Sequence, residues 1–384
     1  MKRMVLMILA LGLSFSAQTA RADWTPTKRL TWTSGYVQNP TIAVDRWGKI
    51  HLVWYDDTPG NSEIYYKNSP DRGATWTLSK RITWTEGDSI APAIAIDYPG
   101  NLHVVWYANY AYTPNKDGIY YKKSTDGGAT WTLSKLLFWT DGNSLAPAIT
   151  IDTSGNLHLV WDDSYPGNYE LLYKKSTDGG DTWTLSERLT WTSGDSRYPA
   201  IAAPSSENIY VFWSDGTPGN DEIYLRKSTD GGATWSASKR LTWNSGDSRF
   251  LALCYAYGNF SLVWEDDTPG NEEIYYMKST DGAASWTTRK RLTWTSARSF
   301  VPAIAVPSSG NLHVVWYESQ DFAIYYREGT DGGATWTPAK RLSWNLYAKE
   351  PAVVVDDLDT LHVVWSAYES GLANSDIYYR SWVE

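Results

Sequence analysis

Tyrosines set beside carboxylates are the residues in this chain whose types and spacing suit chemistry on sugars. They fall in three irregular stretches: Ala108-Asn109-Tyr110-Ala111-Tyr112, Tyr317-Glu318-Ser319-Gln320-Asp321 and Ser366-Ala367-Tyr368-Glu369. A phenol ring stacks on the apolar face of a pyranose, and neighbouring acids accept bonds from its hydroxyls. A second, regular stretch reads D-D-T-P-G-N-x-E, as in Asp56 to Glu63 and Asp266 to Glu273. Its carboxylates could hold a Ca²⁺ ion or sugar hydroxyls, or could simply solubilise a Pro-Gly turn. The turn is the favoured reading, so no metal and no cofactor is expected. His51, His103, His158, His313 and His362 share one position in a repeat. Copies roughly 10 Å apart cannot share a metal, so these histidines are read as structural. The single cysteine, Cys254, stands where other copies have Ala43, Ala95 or Val354, and is read as a small buried filler.

The elements that position these residues come from that repeat. The phrase S-T-D-G-G-A-T-W, Ser124 to Trp131, recurs with starts at Ser69, Ser176, Ser228, Ser279 and Gly329. Its Asp can accept backbone N–H bonds and its glycines tolerate positive φ, as a tight turn between strands requires. Two copies depart: Ala283 replaces the second glycine and Gly329 replaces the serine. Three tryptophan positions frame each unit: the Trp of this phrase, the Trp of L-T-W (Trp32, Trp84, Trp139, Trp191, Trp243, Trp294, Trp344), and the Trp ending H-V-V-W. With Trp24 they account for 21 of 23 tryptophans, which reads as scaffold without binding meaning. Each unit reads as four strands, in the second unit 92–97, 102–107, 119–123 and 131–139. Seven such units predict an all-β, seven-bladed β-propeller. The last unit stops after Ile377 to Arg380, and Asp23 to Trp32 matches Thr335 to Trp344 position for position. The N-terminal strand is therefore expected to complete the seventh blade and leave no open sheet edge.

The repeated phrase resembles the Asp box, S-x-D-x-G-x-T-W, of the bacterial neuraminidase repeat found in sialidases and other propellers. The resemblance implies structural roles for Asp71, Asp126, Asp178, Asp230, Asp281 and Asp331, on the face away from any active site. It also implies, for a sialidase, three arginines clamping a carboxylate, an Asp acid/base and a Tyr–Glu nucleophile pair. Ser196-Arg197-Tyr198-Pro199-Ala200-Ile201 resembles the family's F/Y-R-I-P motif, Ser248-Arg249-Phe250-Leu251 is a degraded copy, and Arg298 lies two residues off register. The family motif belongs to the first blade, where this chain has Gln38-Asn39-Pro40. Arg197, Arg249, Arg298, Tyr110, Tyr112, Tyr317, Glu318, Tyr368 and Glu369 are the candidate ligand-binding residues, and no catalytic residue is assigned.

Lys2, Arg3, the apolar run from Met4 to Phe15 and Ala20-Arg21-Ala22 read as a secretory signal over 1–22, followed by the propeller over 23–384. Export to the periplasm or beyond is expected. Without the signal the formal charge goes from -9 to -12, which suits neither nucleic acid nor anionic lipid. The sequence points to a monomer without a membrane span that binds glycans or another extracellular polymer through the face opposite the Asp boxes, without cleaving it. An exo-sialidase or related glycosidase and a protein-interaction platform are the alternatives.

Overall fold

The computed structural model describes residues 23–109, 117–165, 167–344, 346–369 and 374–382, with the backbone alone for Leu346 and Glu369. The expected signal segment lies outside the described residues. Seven antiparallel sheets follow one another along the chain, each four strands wide apart from an added pair, Thr335–Trp336, in the sixth. Inner strands of neighbouring sheets touch all the way round, the first against the seventh, so the sheets are the blades of a closed propeller. No helix among the described residues is long and apolar enough to cross a membrane.

The second blade shows the plan: Ser89–Ile96 lines the axis, followed outward by Leu102–Ala108, Gly118–Ser124 and Lys135–Trp139. In the other blades the outermost strand is shorter than the sequence pattern predicts, as in Lys80–Arg81. Thr77 N–H still donates to Asn68 O at 2.9 Å, but Leu78 and Ser79 bulge away from the ladder and leave Leu78 92% exposed.

The ring closes as the sequence implies. Lys28 and Arg29 pair with Tyr379 and Tyr378, Leu30 N–H donates to Ile377 O at 2.7 Å, and Trp24 bridges to Trp382. Trp24 also meets Tyr326 of the sixth blade edge-on at 5.0 Å, the packing that Trp131 makes with Tyr66.

The core lies between blades rather than within them, because each blade is too thin to bury its own faces. Trp54, Trp106, Trp161, Trp213, Trp264, Trp316 and Trp365 of the second strands are fully buried. The Asp boxes fasten one blade to the next. Asp126 accepts bonds from Thr130 N–H at 2.8 Å and the Ser124 hydroxyl at 2.8 Å, fixing a turn whose Gly127 carbonyl accepts from the Tyr66 hydroxyl of the first blade at 3.0 Å. His51 Nδ1 lies 2.8 Å from that hydroxyl. His158 likewise sits between Tyr173 at 2.7 Å and Asp152 at 3.1 Å, so these imidazoles are members of inter-blade clasps.

The D-D-T-P-G-N-x-E carboxylates are also spent internally. Glu63 is fully buried and accepts from Arg81 at 2.6 Å, Thr83 at 2.5 Å and Thr85 N–H at 2.6 Å, while Asp56 accepts from Thr58 N–H at 2.8 Å. One expectation is corrected. The L-T-W tryptophans do not serve the scaffold: all seven are exposed, from 47% at Trp139 to 72% at Trp32.

Candidate functional site

Every inner strand slips register near its start, between Gln38 and Thr41 in the first blade, Arg197 and Ala200 in the fourth, Arg249 and Ala252 in the fifth. The inserted residue, Asn39, Ala91, Ala146, Tyr198, Phe250, Val301 or Glu350, has φ between 44° and 54°. Left-handed backbone at a non-glycine residue costs of the order of 1–3 kcal/mol, and a bulge re-aims the side chain it carries. Here the seven bulges turn one side chain per blade toward the axis. They line a funnel of about 490 Å³, together with Pro40, Pro92, Pro147, Pro199 and their equivalents.

A polar side cleft of about 710 Å³ opens from this funnel across the fourth and fifth blades. Asp195, Asn220, Asp221 and Asp247 line it, and Arg197, Tyr198 and Phe250 belong to both spaces. The Tyr198 and Phe250 rings lie 4.2 Å apart at the shared edge. The Arg197 guanidinium sits 4.1 Å from the Tyr169 ring and 4.8 Å from that of Tyr198, with Nε 3.9 Å from Asp162. Arg249 is held by Asp221 and, at 2.7 Å, by Asp247. Arg298 lies apart from the cleft lining and pairs with Glu272 at 2.9 Å. Two of the three candidate arginines thus share the cleft, and all three face an acid of the chain itself. A clamp for a ligand carboxylate needs open guanidinium forks in one place, which this arrangement does not offer.

Two buried acids that sequence reasoning missed lie behind the bulged residues of the funnel, Asp162 behind Tyr198 and Glu265 behind Val301. Burial pushes the Asp162 carboxyl up to about 6, against a bond from Tyr198 N–H at 3.0 Å and the charge of Arg197. It pushes Glu265 up to about 7, against a bond from Val301 N–H at 3.2 Å. Burial also raises Asp221, although Arg249 pulls the other way. The bulge position, which runs Asn, Ala, Ala, Tyr, Phe, Val, Glu and precedes proline in every blade but the fifth, where Leu251 follows Phe250, was a signal for the funnel, while nothing local marked the two acids.

The remaining candidates gather over the sixth and seventh blades. Tyr317 packs on Phe300 at 5.2 Å, and Tyr368 stacks on Tyr347 at 5.1 Å, which meets the exposed Phe322 at 4.9 Å. Glu318 points the other way along its strand, is buried, and accepts from the Ser299 hydroxyl at 2.8 Å. Tyr110, Tyr112 and the Glu369 side chain lie outside the described residues. Arg226, Arg327 and Arg380 reach back to carbonyls of the preceding blade, at Leu189, Leu292 and Leu342.

A closed seven-bladed propeller with Asp boxes on one face and a funnel with a polar side cleft on the other defines the class. Within it, residues 11–214 match the family described as BNR repeat-like domain, and the chain belongs to that family. Residues 141–297 also match a BNR repeat-containing family member. No curated protein matches the sequence. Among solved structures, a Dyadobacter fermentans protein of unknown function is similar at 14% identity and TM-score 0.56, covering 93% of this chain and 99% of that one. An ulvan lyase of a polysaccharide lyase family is similar at 14% identity and TM-score 0.60, covering 91% and 95%. The NanB sialidase of Streptococcus pneumoniae is similar at 15% identity and TM-score 0.52, covering 92% and 70%. At such identities the likeness establishes the fold.

Proposed function

We propose that this chain is an exported, monomeric glycan-binding propeller whose ligand enters the funnel opposite the Asp boxes and lodges in the cleft between Arg197 and Arg249. The observation that carries the reading is the Tyr198–Phe250 pair, two rings held at 4.2 Å on strained backbone at the edge of a cleft lined by amide and carboxylate groups. Rings that stack on a sugar face beside fixed acceptors for its hydroxyls are what pyranose recognition requires. Arginines already neutralised by Asp221, Asp247 and Glu272 favour a hydroxyl-rich ligand over a clamped carboxylate. The similar ulvan lyase and sialidase act on saccharides, which accords with a glycan ligand. A glycan array probed with the 23–384 protein tests this: binding that disappears in Tyr198→Ala and Phe250→Ala supports it, and an array without hits at high protein concentration argues instead for a protein-interaction platform.

Cleavage is the second reading, favoured by one observation. Asp162 and Glu265, raised by burial to about 6 and about 7, sit directly behind the funnel and accept from the N–H groups of its lining residues Tyr198 and Val301. Release of reducing ends or of a fluorogenic sialoside, abolished in Asp162→Asn or Glu265→Gln, would establish it over simple binding.

A further inference from the structure

We infer that the outer rim carries a second, sevenfold set of saccharide sites, one on each L-T-W tryptophan, independent of the funnel. A single exposed indole is ordinary, but one repeated in every blade, when the core is already supplied by other tryptophans, points to a role at the surface. Here seven are kept, each 47% exposed or more.

The backbone under these rings is locked. Beside Trp243, the buried Glu222 accepts from Arg240 at 2.6 Å and from Asn244 N–H at 2.9 Å, while the Thr242 hydroxyl accepts from Ile223 N–H at 2.8 Å. Arg240 folds back onto the Thr242 carbonyl at 2.7 Å, which places its guanidinium 5.8 Å from the Trp243 ring centre. The same lock recurs at Trp84 on Glu63, at Trp191 on Glu170 and at Trp294 on Glu273, with guanidinium to ring distances of 5.7 Å. A ring carried on so fixed a backbone has less freedom to lose when a ligand stacks on it.

Variation inside the chain separates the ring from its support. The second blade has Leu136 and Phe138 where the others have Arg and Thr or Ser, and the sixth holds Arg341 through Asp321 at 2.8 Å rather than through a buried Glu. Both still expose their tryptophans, Trp139 and Trp344.

The occupant is a glycan chain. Two of the grooves beside these rings, next to Trp243 and next to Trp294, have the same volume of about 430 Å³. The second presents the Thr295 hydroxyl and the exposed Gln320 amide beside the indole, groups suited to sugar hydroxyls. A protein partner would need roughly 800 Å² of continuous surface, whereas these platforms are single rings parted by charged Arg–Glu pairs. Isolated, regularly repeated platforms match a polymer that repeats or a surface densely coated with sugar. Linked weak sites gain about 10²–10⁴ over one site when several engage together.

Affinity electrophoresis of the 23–384 protein in gels containing xylan, mannan, hydroxyethylcellulose or alginate tests the inference. Retardation in at least one gel is expected, little changed in Trp84→Ala and at least tenfold weaker when Trp84, Trp191, Trp243 and Trp294 are all Ala. Iodide quenching gives a reading that needs no variant: the retained polysaccharide should shield wild-type tryptophan fluorescence. The inference is overturned if no gel retards the protein, if the fourfold variant migrates like wild type, or if retardation is lost in Tyr198→Ala alone, which would leave the funnel as the sole site. Wild-type self-association that vanishes in the fourfold variant would instead make the rim an interface between copies.

Discussion

The Tyr66 ring lies so close over Gly128 of the next blade that a Cβ on the glycine would sit 2.2 Å from the tyrosine Cε1. The same contact joins Tyr121 to Gly180, Tyr173 to Gly232, Tyr276 to Gly333 and Tyr379 to Gly73. In the fourth blade the tyrosine is Leu225, and there alone the next Asp box carries Ala283 in the glycine's place. The sequence departure at Ala283 is therefore half of a coupled pair.

Gly128→Ala should accordingly destabilise the propeller by about 3 kcal/mol or more, from the clash and from φ of +92°. Pairing it with Tyr66→Leu should recover about 1–3 kcal/mol of that loss, beyond the sum of the single changes. Urea unfolding of the four proteins in the cycle measures this; strictly additive effects would mean the two residues are not coupled.

Removing residues 23–32 should prevent closure. The segment supplies the outer strand of the seventh blade, and its loss uncovers Tyr378 and Tyr379 along an open sheet edge. Aggregation or failure to accumulate is expected by size-exclusion chromatography, and a stable monomer of native circular dichroism would refute the role given to the strand.

Glu265 supplies a pH dependence of known sign. Its native pKa is raised by burial to about 7, so the stability it lends is present below its unfolded value near 4.5 and is lost as pH rises through 7. Relative to Glu265→Gln, wild type should lose up to about 3 kcal/mol between pH 4 and pH 8. The buried His51 and His313 act oppositely: with native values lowered to about 4, they weaken the fold as pH falls from 6.5 toward 4. Comparing thermal midpoints of the two proteins across this range isolates the carboxyl, because the histidines are common to both.

Glu222→Ala should cost about 2–4 kcal/mol, since it strips a fully buried carboxylate from Arg240, Asn244 N–H and Asn220, with a discount because Arg240 is partly exposed. It should also loosen Trp243, visible as faster fluorescence depolarisation. A stable variant with an unchanged indole would show that the lock does not hold the ring.

Local chemistry fixed much of this protein before any tertiary contact is considered. Asp126 with Gly127 and Gly128 must make a turn, the alternation of small and large residues from Ala93 to Ile96 must make a strand, and the match between Asp23 to Trp32 and Thr335 to Trp344 must close a ring, because turn, pleat and repeat are properties of neighbours along the chain. What only the folded ring decided is exposure and convergence. Trp54 and Trp84 are equally regular in sequence, yet one is wholly buried and the other 68% exposed, since that depends on which blade lies alongside. Arg249 is a clamp candidate by sequence, but the fold sets Asp221 and Asp247 beside it, and Asp162 and Glu265 become buried acids only because neighbouring inner strands cover them. Charge and burial are made by residues far apart in the chain, which no local pattern encodes.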